Sequence, residues 1–236
     1  MNQVTATLNP LGWTLPVLPE LDTLTVGGLV CGVGVETSSH LHGLFQHTCV
    51  AFEIVLADGS VRRCTADAPD EQDRELFRAI PWSHGTLGFL VGVEIKIVPA
   101  KPWVRLEYTP VQNKEQAVAL CREKFAGQDD FVEALVYGRD QWVVMTGNMA
   151  DRPQPDGRVN RIGRFWKPWF FTHVRSFLTN GQASAVEYLP LRDYYHRHTR
   201  SLFWEIQDII TFGNDWWFRY GRKKQRMREE EKNKNE

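Results

Sequence analysis

The sequence predicts an α+β fold, and two local patterns predict it. Residues 50–56 form an apolar run broken only by Glu53, Asp58-Gly59 supplies a turn, and residues 60–65 return, which together read as a β-hairpin. Between residues 104 and 146 a strand, a helix and a second hairpin follow one another.

The remaining elements are taken in chain order. Residues 3–8 read as a short helix ended by Pro10 and Gly12, and Pro16 and Pro19 make residues 15–21 an extended connector. Thr25 can cap a helix that begins at Val26. After the hairpin, residues 66–74 read as a polar loop and 75–79 as a short helix. The turn from Gly85 to Gly88 feeds a strand over 89–98, which Pro99 closes. The second half reads as a strand over 104–109, a helix over 114–125, and strands over 131–137 and 142–146. Residues 152–163, rich in Pro, Gly, Asp and Arg, read as a loop, and 194–210 as a helix. Residues 222–236 carry almost no apolar side chains and are expected to form a disordered charged tail. A boundary near Pro99 and Pro102 predicts one unit over 1–100 and another over 101–221.

A length of 236 residues allows one large domain or two small ones, and 24% charged residues is ordinary for a globular protein. The formal net charge of -1 supplies no global attraction to nucleic acid, so no nucleic-acid partner is expected. Cys31, Cys49, Cys64 and Cys121 have no C-x-x-C spacing, which argues against a zinc ribbon or a disulfide framework and fits a cytosol-facing setting. The first residues are polar and give no secretory signal, and no apolar run approaches the roughly 20 residues of a spanning helix.

The central feature is Thr25-Val26-Gly27-Gly28-Leu29-Val30-Cys31-Gly32-Val33-Gly34-Val35-Glu36-Thr37. Glycines here would each weaken a free helix by up to about 1 kcal/mol, so the pattern points to main chain that something must approach closely. Backbone N–H groups at a helix start bind phosphate oxygens. A dinucleotide fingerprint is excluded because Thr37 stands where its third glycine belongs, and a P-loop because the stretch has no lysine. Two readings stay open on spacing alone: a diphosphate cofactor at these thirteen residues, or a glycine-rich loop packed on a neighbouring strand.

The order Thr25-x-Gly27-Gly28, Gly32-x-Gly34, Thr37-Ser38 and Gly43 resembles the FAD-binding PCMH-type flavoproteins, the vanillyl-alcohol-oxidase-like group. So do the turn Gly85-Thr86-Leu87-Gly88-Phe89, with the strand it feeds, and the hairpin lying between the two marks. Further stretches resemble the sterol side-chain reductases of that group: Gly12 to Leu21, Gly43-Leu44-Phe45-Gln46-His47, Lys167-Pro168-Trp169-Phe170-Phe171, Tyr188 to Arg192, Tyr194 to Arg200, Phe203-Trp204-Glu205 and Gln207-Asp208-Ile209-Ile210. The resemblance implies the second part of a PCMH-type FAD-binding domain, followed by part of an α+β cap or substrate domain. It implies FAD on the thirteen residues, NADPH as hydride donor, a sterol such as desmosterol as substrate, and reduction of the C24–C25 double bond. It also implies residence at the endoplasmic reticulum membrane through a segment not contained in these residues. An isolated alkene needs a proton donor beside the flavin, and the sequence assigns no residue to that role. The alternatives are an oxidase of the same fold acting on an alcohol or lactone, and an inactive fragment acting through partner binding.

Other constellations are weighed against blander roles. His40, His42 and His47 lack a completing ligand set, so no metal is expected and the histidines are read as lining the cofactor loop. His196 and His198, flanking Arg197, read as a solvated or partner-facing surface. The aromatic run from Phe165 to Phe171, with Trp204, Trp216 and Trp217, reads first as core, next as a sterol pocket or membrane-interface surface, and last as nucleic-acid stacking. The basic run from Arg222 to Arg228 reads as a solvated tail. Glu53, between apolar neighbours on the hairpin strand, is expected to be buried against a structural partner rather than catalytic, so that Glu53→Lys destabilises the fold.

Overall fold

The computed structural model of the chain describes residues 1–179, 181 and 183–201. The readings placed on 202–210, on Trp204, Trp216 and Trp217, on the basic run and on the tail at 222–236 lie outside these residues.

Helix α1 (Asn2–Leu8) passes into a short 3-10 turn that Gly12 ends with φ of 78°, as Pro10 and Gly12 predict. Strand β1 (Trp13–Thr14) leads into the connector, whose Leu15, Val17 and Leu18 are buried. Helix α2 (Val26–Cys31) is capped by the Thr25 side chain, and helix α3 (Ser39–His42) follows. The predicted hairpin is β2 (Cys49–Val55) and β3 (Val61–Thr65), with Gly59 at φ of 84°. Helix α4 (Glu71–Ala79) begins earlier than read from sequence, where residues through 74 were expected to be loop. Asp70 caps it by accepting from the Gln72 amide, and Arg62 pins the first turn through Asp73 at 2.7 Å.

The strand expected over 89–98 is two strands. β4 (Phe89–Ile95) pairs with β2, whereas β5 (Val98–Pro99) pairs with β1. Between them the Lys96 amide turns to the Thr48 carbonyl, 3.0 Å away, and the chain changes partner. Beyond β6 (Trp103–Val111), helix α5 (Lys114–Phe125) has the bounds predicted and is capped by Asn113. The second hairpin is β7 (Phe131–Gly138) and β8 (Gln141–Ala150). The stretch read as loop over 152–163 contains β9 (Arg158–Val159), and α6 (Phe170–Arg175) precedes β10 (Ala185–Pro190) and α7 (Leu191–Tyr195). Of the helix read over 194–210, Tyr194 and Tyr195 lie in α7 and residues 196–200 form turns, while 202–210 lie outside the described residues.

These strands form a three-stranded sheet in the order β3-β2-β4, a five-stranded sheet in the order β7-β8-β6-β10-β9, and the pair β1-β5. One buried apolar cluster joins them, running from Val17, Leu29 and Phe52 to Leu106, Phe131 and Tyr194. The aromatic run divides: Trp169, Phe170 and Phe171 enter this core, while Phe165 and Trp166 stay exposed.

Glu53 corrects an expectation. Phe52 and Ile54 take the inward positions of β2, so strand alternation turns Glu53 to the exposed side, over Gly92 and opposite Arg63. Burial does not oblige it to find a partner, and Arg63 pairs with Glu94 instead.

Gly88 is required by close approach. A β-carbon there would lie 2.3 Å from the Val55 carbonyl oxygen, and φ is 153°. Gly88→Ala is expected to destabilise the fold by about 3 kcal/mol, read as a lower urea midpoint; an unchanged midpoint contradicts the packing described.

Candidate cofactor site

The thirteen-residue stretch comprises α2 and the loop after it. The Thr25 hydroxyl accepts from the Gly28 amide at 3.1 Å, which fixes the first turn and draws the hydroxyl within 3.0 Å of where a Gly28 β-carbon would stand. Leu29 and Val30 anchor the helix in the core. Gly32 has its place because a β-carbon would meet the Gly28 carbonyl at 2.7 Å; Gly34 has its place because one would meet Phe45 at 2.5 Å. The packed-loop reading thus accounts for these two glycines. It does not account for Gly27, where a β-carbon would meet no atom within 4 Å. Val26 and Gly27 border a shallow groove of about 400 Å³ whose other wall is Leu90 to Ile95 of β4. Val33 and Val35 are also exposed, at 58% and 64%.

The second glycine-bearing turn sits beside α2. The amides of Trp82 and His84 donate to the carbonyls of Val30 and Cys31, at 3.2 and 2.9 Å. Both residues have positive φ, 61° and 51°, an uncommon conformation for side chains of that size. The turn is thereby held against the carbonyl end of α2, so the tertiary structure brings together two marks separated by about fifty residues of chain.

The loop's far end is held by the five-stranded sheet unit. The Val132 amide of β7 donates to the Thr37 carbonyl at 2.8 Å, and the Tyr194 hydroxyl donates to the Thr37 side chain at 3.2 Å. His40 bonds the Asp129 carbonyl at 2.9 Å, and His47 accepts from the Leu44 amide. These histidines are tied into the backbone and do not converge. Among the described residues, the group whose ligand-type atoms lie within 4.8 Å of one another is Glu20, Glu133 and His198. Arg197 already occupies that cluster, with Nη2 at 3.0 Å from Glu133 and 3.3 Å from Glu20.

Arg197 and His198 are 4% and 2% exposed, which corrects their reading as solvated surface. The stretch carrying them lies in a seam between the N-terminal residues and the sheet: His196 faces the Thr5 hydroxyl at 2.8 Å, and Tyr195 accepts from Thr14 at 3.1 Å. Burial lowers the His196 imidazole to about 4, and the nearby positive charges of Arg192, the N-terminus and Arg197 act in the same direction. Burial by itself would raise the Glu133 carboxyl, but Arg197 and the His198 hydrogen bond bring it down to about 2. Glu36 goes the other way: burial lifts its carboxyl to about 8, Glu20 and Glu133 add to the rise, and Arg197 opposes it. Sequence reading missed Arg197, Val132 and Tyr194 as supports of the site. The mixed charge of Tyr194 to Arg200 carries no periodic apolar face, and its partners lie over sixty residues away.

The arrangement defines a class. A family profile described as "FAD binding domain" matches residues 1–65, the part of the chain that contains the whole glycine stretch. The chain is 57% identical to the delta(24)-sterol reductase of Macaca fascicularis and 56% identical to that of Homo sapiens. Each alignment takes in 93% of this chain and 42% of the other protein. It is 44% identical to the delta(24)-sterol reductase of Arabidopsis thaliana over 93% of this chain and 40% of that protein. A decaprenylphosphoryl-beta-D-ribose oxidase of Mycolicibacterium smegmatis is 22% identical over 90% of this chain and 47% of that protein. The chain is thus an α+β flavoprotein-domain relative. Within that class it is a relative of the delta(24)-sterol reductases. It spans about two fifths of the length of these reductases.

Removing the guanidinium would leave Glu133 and Glu20 facing each other in the seam. Arg197→Ala is expected to cost about 3–5 kcal/mol, measured by urea unfolding at neutral pH. Because the folded Glu133 carboxyl lies below its ordinary 4.5, its contribution is present above about pH 4.5 and lost as pH falls through about 2. The difference between wild type and Arg197→Ala should shrink over that interval; a difference that stays constant contradicts the pairing.

Proposed function

We propose that the chain supplies the diphosphate-facing part of an FAD site in a reductase that saturates a sterol side-chain double bond. The observation that carries this reading is the open main chain at Gly27, beside the groove and on the helix whose carbonyl end holds the segment leading into the Gly85-to-Gly88 turn, in the region that matches an FAD binding domain. The residues fit such a cofactor. Val26 and Gly27 offer amides at the helix start, and Val33 and Val35 offer apolar surface. In this reading Thr25 to Thr37 hold the cofactor. Residues 1–100 are the cofactor-binding unit, residues 101–221 begin the cap over the substrate, and residues 222–236 are a charged tail.

An FAD held by Thr25 to Thr37 would supply the hydride chemistry, with NADPH as the donor and the sterol side chain as the acceptor. The chain's own contribution is orientation. The Thr25 cap sets the first turn of α2, the Gly34–Phe45 contact fixes the loop's path, and Val132 and Tyr194 hold its end at Thr37. An isolated alkene has no carbonyl to polarise it, so hydride transfer requires a proton delivered to the neighbouring carbon. Among the described residues no helix is long and apolar enough to cross a membrane; association with the endoplasmic reticulum membrane is proposed for the whole protein from its relationship to the sterol reductases.

The distant likeness to a decaprenylphosphoryl-ribose oxidase favours a second reading, an oxidase of an alcohol or lactone on the same fold. Flavin reoxidation by desmosterol, against reduction of FAD by polyols, separates the two. Gly27→Val should weaken FAD binding at least about tenfold, near 1.4 kcal/mol, with an unchanged melting temperature because the space there is open. Gly34→Val should instead lower the melting temperature. Flavin fluorescence quenching and circular dichroism read the two effects, and a Gly27→Val protein that binds FAD normally removes the support for this site.

A further inference from the structure

The segment between Ile162 and Trp169 is a tightly bonded knuckle with an apolar tip. Both end residues are buried in the core cluster. Between them the Arg164 amide donates to the Arg161 carbonyl at 3.1 Å, and the Lys167 amide to the Arg164 carbonyl at 3.0 Å. Arg200 ties the two ends together, its Nη2 donating to the Ile162 carbonyl at 2.7 Å and to the Pro168 carbonyl at 3.3 Å. On this base Phe165 and Trp166 stand 53% and 60% exposed, packed edge to face with ring centroids 4.9 Å apart. The Arg164 guanidinium lies over the Trp166 ring at 5.6 Å.

Two large rings held in water on a fixed loop, and rimmed by charge, mark a contact surface. The sign of that charge says what it meets. The whole chain has a formal net charge of -1, yet from Gly157 to Val186 it carries Arg158, Arg161, Arg164, Lys167 and Arg175 and no Asp or Glu. Arg158 is engaged with Glu187. Arg161 and Arg164 are exposed and Lys167 half-buried, and none of the three has an ion-pair partner among the described residues. The acidic side chain that touches the knuckle is Asp193, which accepts from the Gly163 amide at 3.3 Å.

We propose that residues 161–168 form a membrane-surface contact, in which Phe165 and Trp166 enter the headgroup layer of a bilayer and Arg161, Arg164 and Lys167 meet its anionic lipids. Aromatic rings gain most at the boundary between headgroups and acyl chains, and basic side chains beside them reach the lipid phosphates. One short tip and three cations give reversible binding rather than anchorage. The consequence is orientation: the unit that begins at residue 101 is turned toward the surface from which a bilayer-dissolved sterol would enter. That consequence rests on the sterol reading given above; the contact itself does not.

The test is sedimentation of the full chain with phosphatidylcholine vesicles containing about 30% phosphatidylserine, and with phosphatidylcholine alone. Wild type should bind the anionic vesicles more tightly, and release as salt is raised from about 0.1 M to about 1 M. The double substitution Phe165→Ser with Trp166→Ser should weaken binding at least about tenfold, and Arg164→Glu at least about fivefold. Melting temperatures should be unchanged, because these side chains are exposed. The basic run from Arg222 to Arg228 is present in every variant, so binding through that run would leave all of them alike. Trp166→Phe keeps a ring and supplies the blank for depth: vesicles with brominated acyl chains should quench wild-type tryptophan fluorescence more than that of Trp166→Phe. Variants that all bind as wild type does overturn the proposal. Equal quenching of wild type and Trp166→Phe also overturns it, as does a wild type that stays in the supernatant at low salt. Neither readout uses FAD or sterol, so a failure of the sterol reading appears separately, in the flavin reoxidation assay.

Discussion

The buried Arg197 guanidinium organises the molecule. Taking such an ion out of water costs several kcal/mol even after relaxation, and the cost is met from four separate parts of the chain: Glu20 on the connector, Glu133 on β7, and the rings of Tyr194 on α7 and Phe170 on α6, at 4.8 and 5.7 Å. Each partner must be in place for the others to be worthwhile. The N-terminal connector, the five-stranded sheet and the 191–201 stretch therefore assemble together, and the glycine loop between them inherits its position through Thr37.

The same seam fixes how the N-terminal connector meets the five-stranded sheet. Extensive apolar contact joins the units non-directionally, and a charged cluster with fixed geometry selects one arrangement among those that apolar contact would allow. A second buried carboxylate does comparable work within the five-stranded sheet. Glu187, 1% exposed, accepts from Tyr108, Asn160, His173 and Arg158. Burial would raise its carboxyl, but those hydrogen bonds and the nearby His173 lower it to about 2. It ties β10 to β6 and to the loop before α6, so the strand joining the sheet late in sequence is fixed by side chains as well as by its ladder.

The glycine stretch shows two demands on one run of residues. Gly32 and Gly34 are small because the protein itself presses on them, whereas Gly27 is small beside open space. The exposed valines at 33 and 35 alternate outward between these packed glycines, so one short segment both anchors itself and presents a surface.

Elements whose causes are local were legible in the sequence. Asn113 and the run after it determine α5, Asp58-Gly59 determines the first hairpin, and Thr25 determines the start of α2, since caps and turns act within four residues. Asp70 is such a cap too, and was overlooked because the polar residues after it also suit a loop. What only the tertiary structure decided was partnership across the chain: the switch from β4 to β5, the pairing of β10 around a buried glutamate, the outward turn of Glu53, and the burial of Arg197 and His198. A charged side chain is driven to the surface or drawn into a seam according to what meets it there. For Arg197 those partners stand up to 177 residues away, beyond the reach of any local pattern.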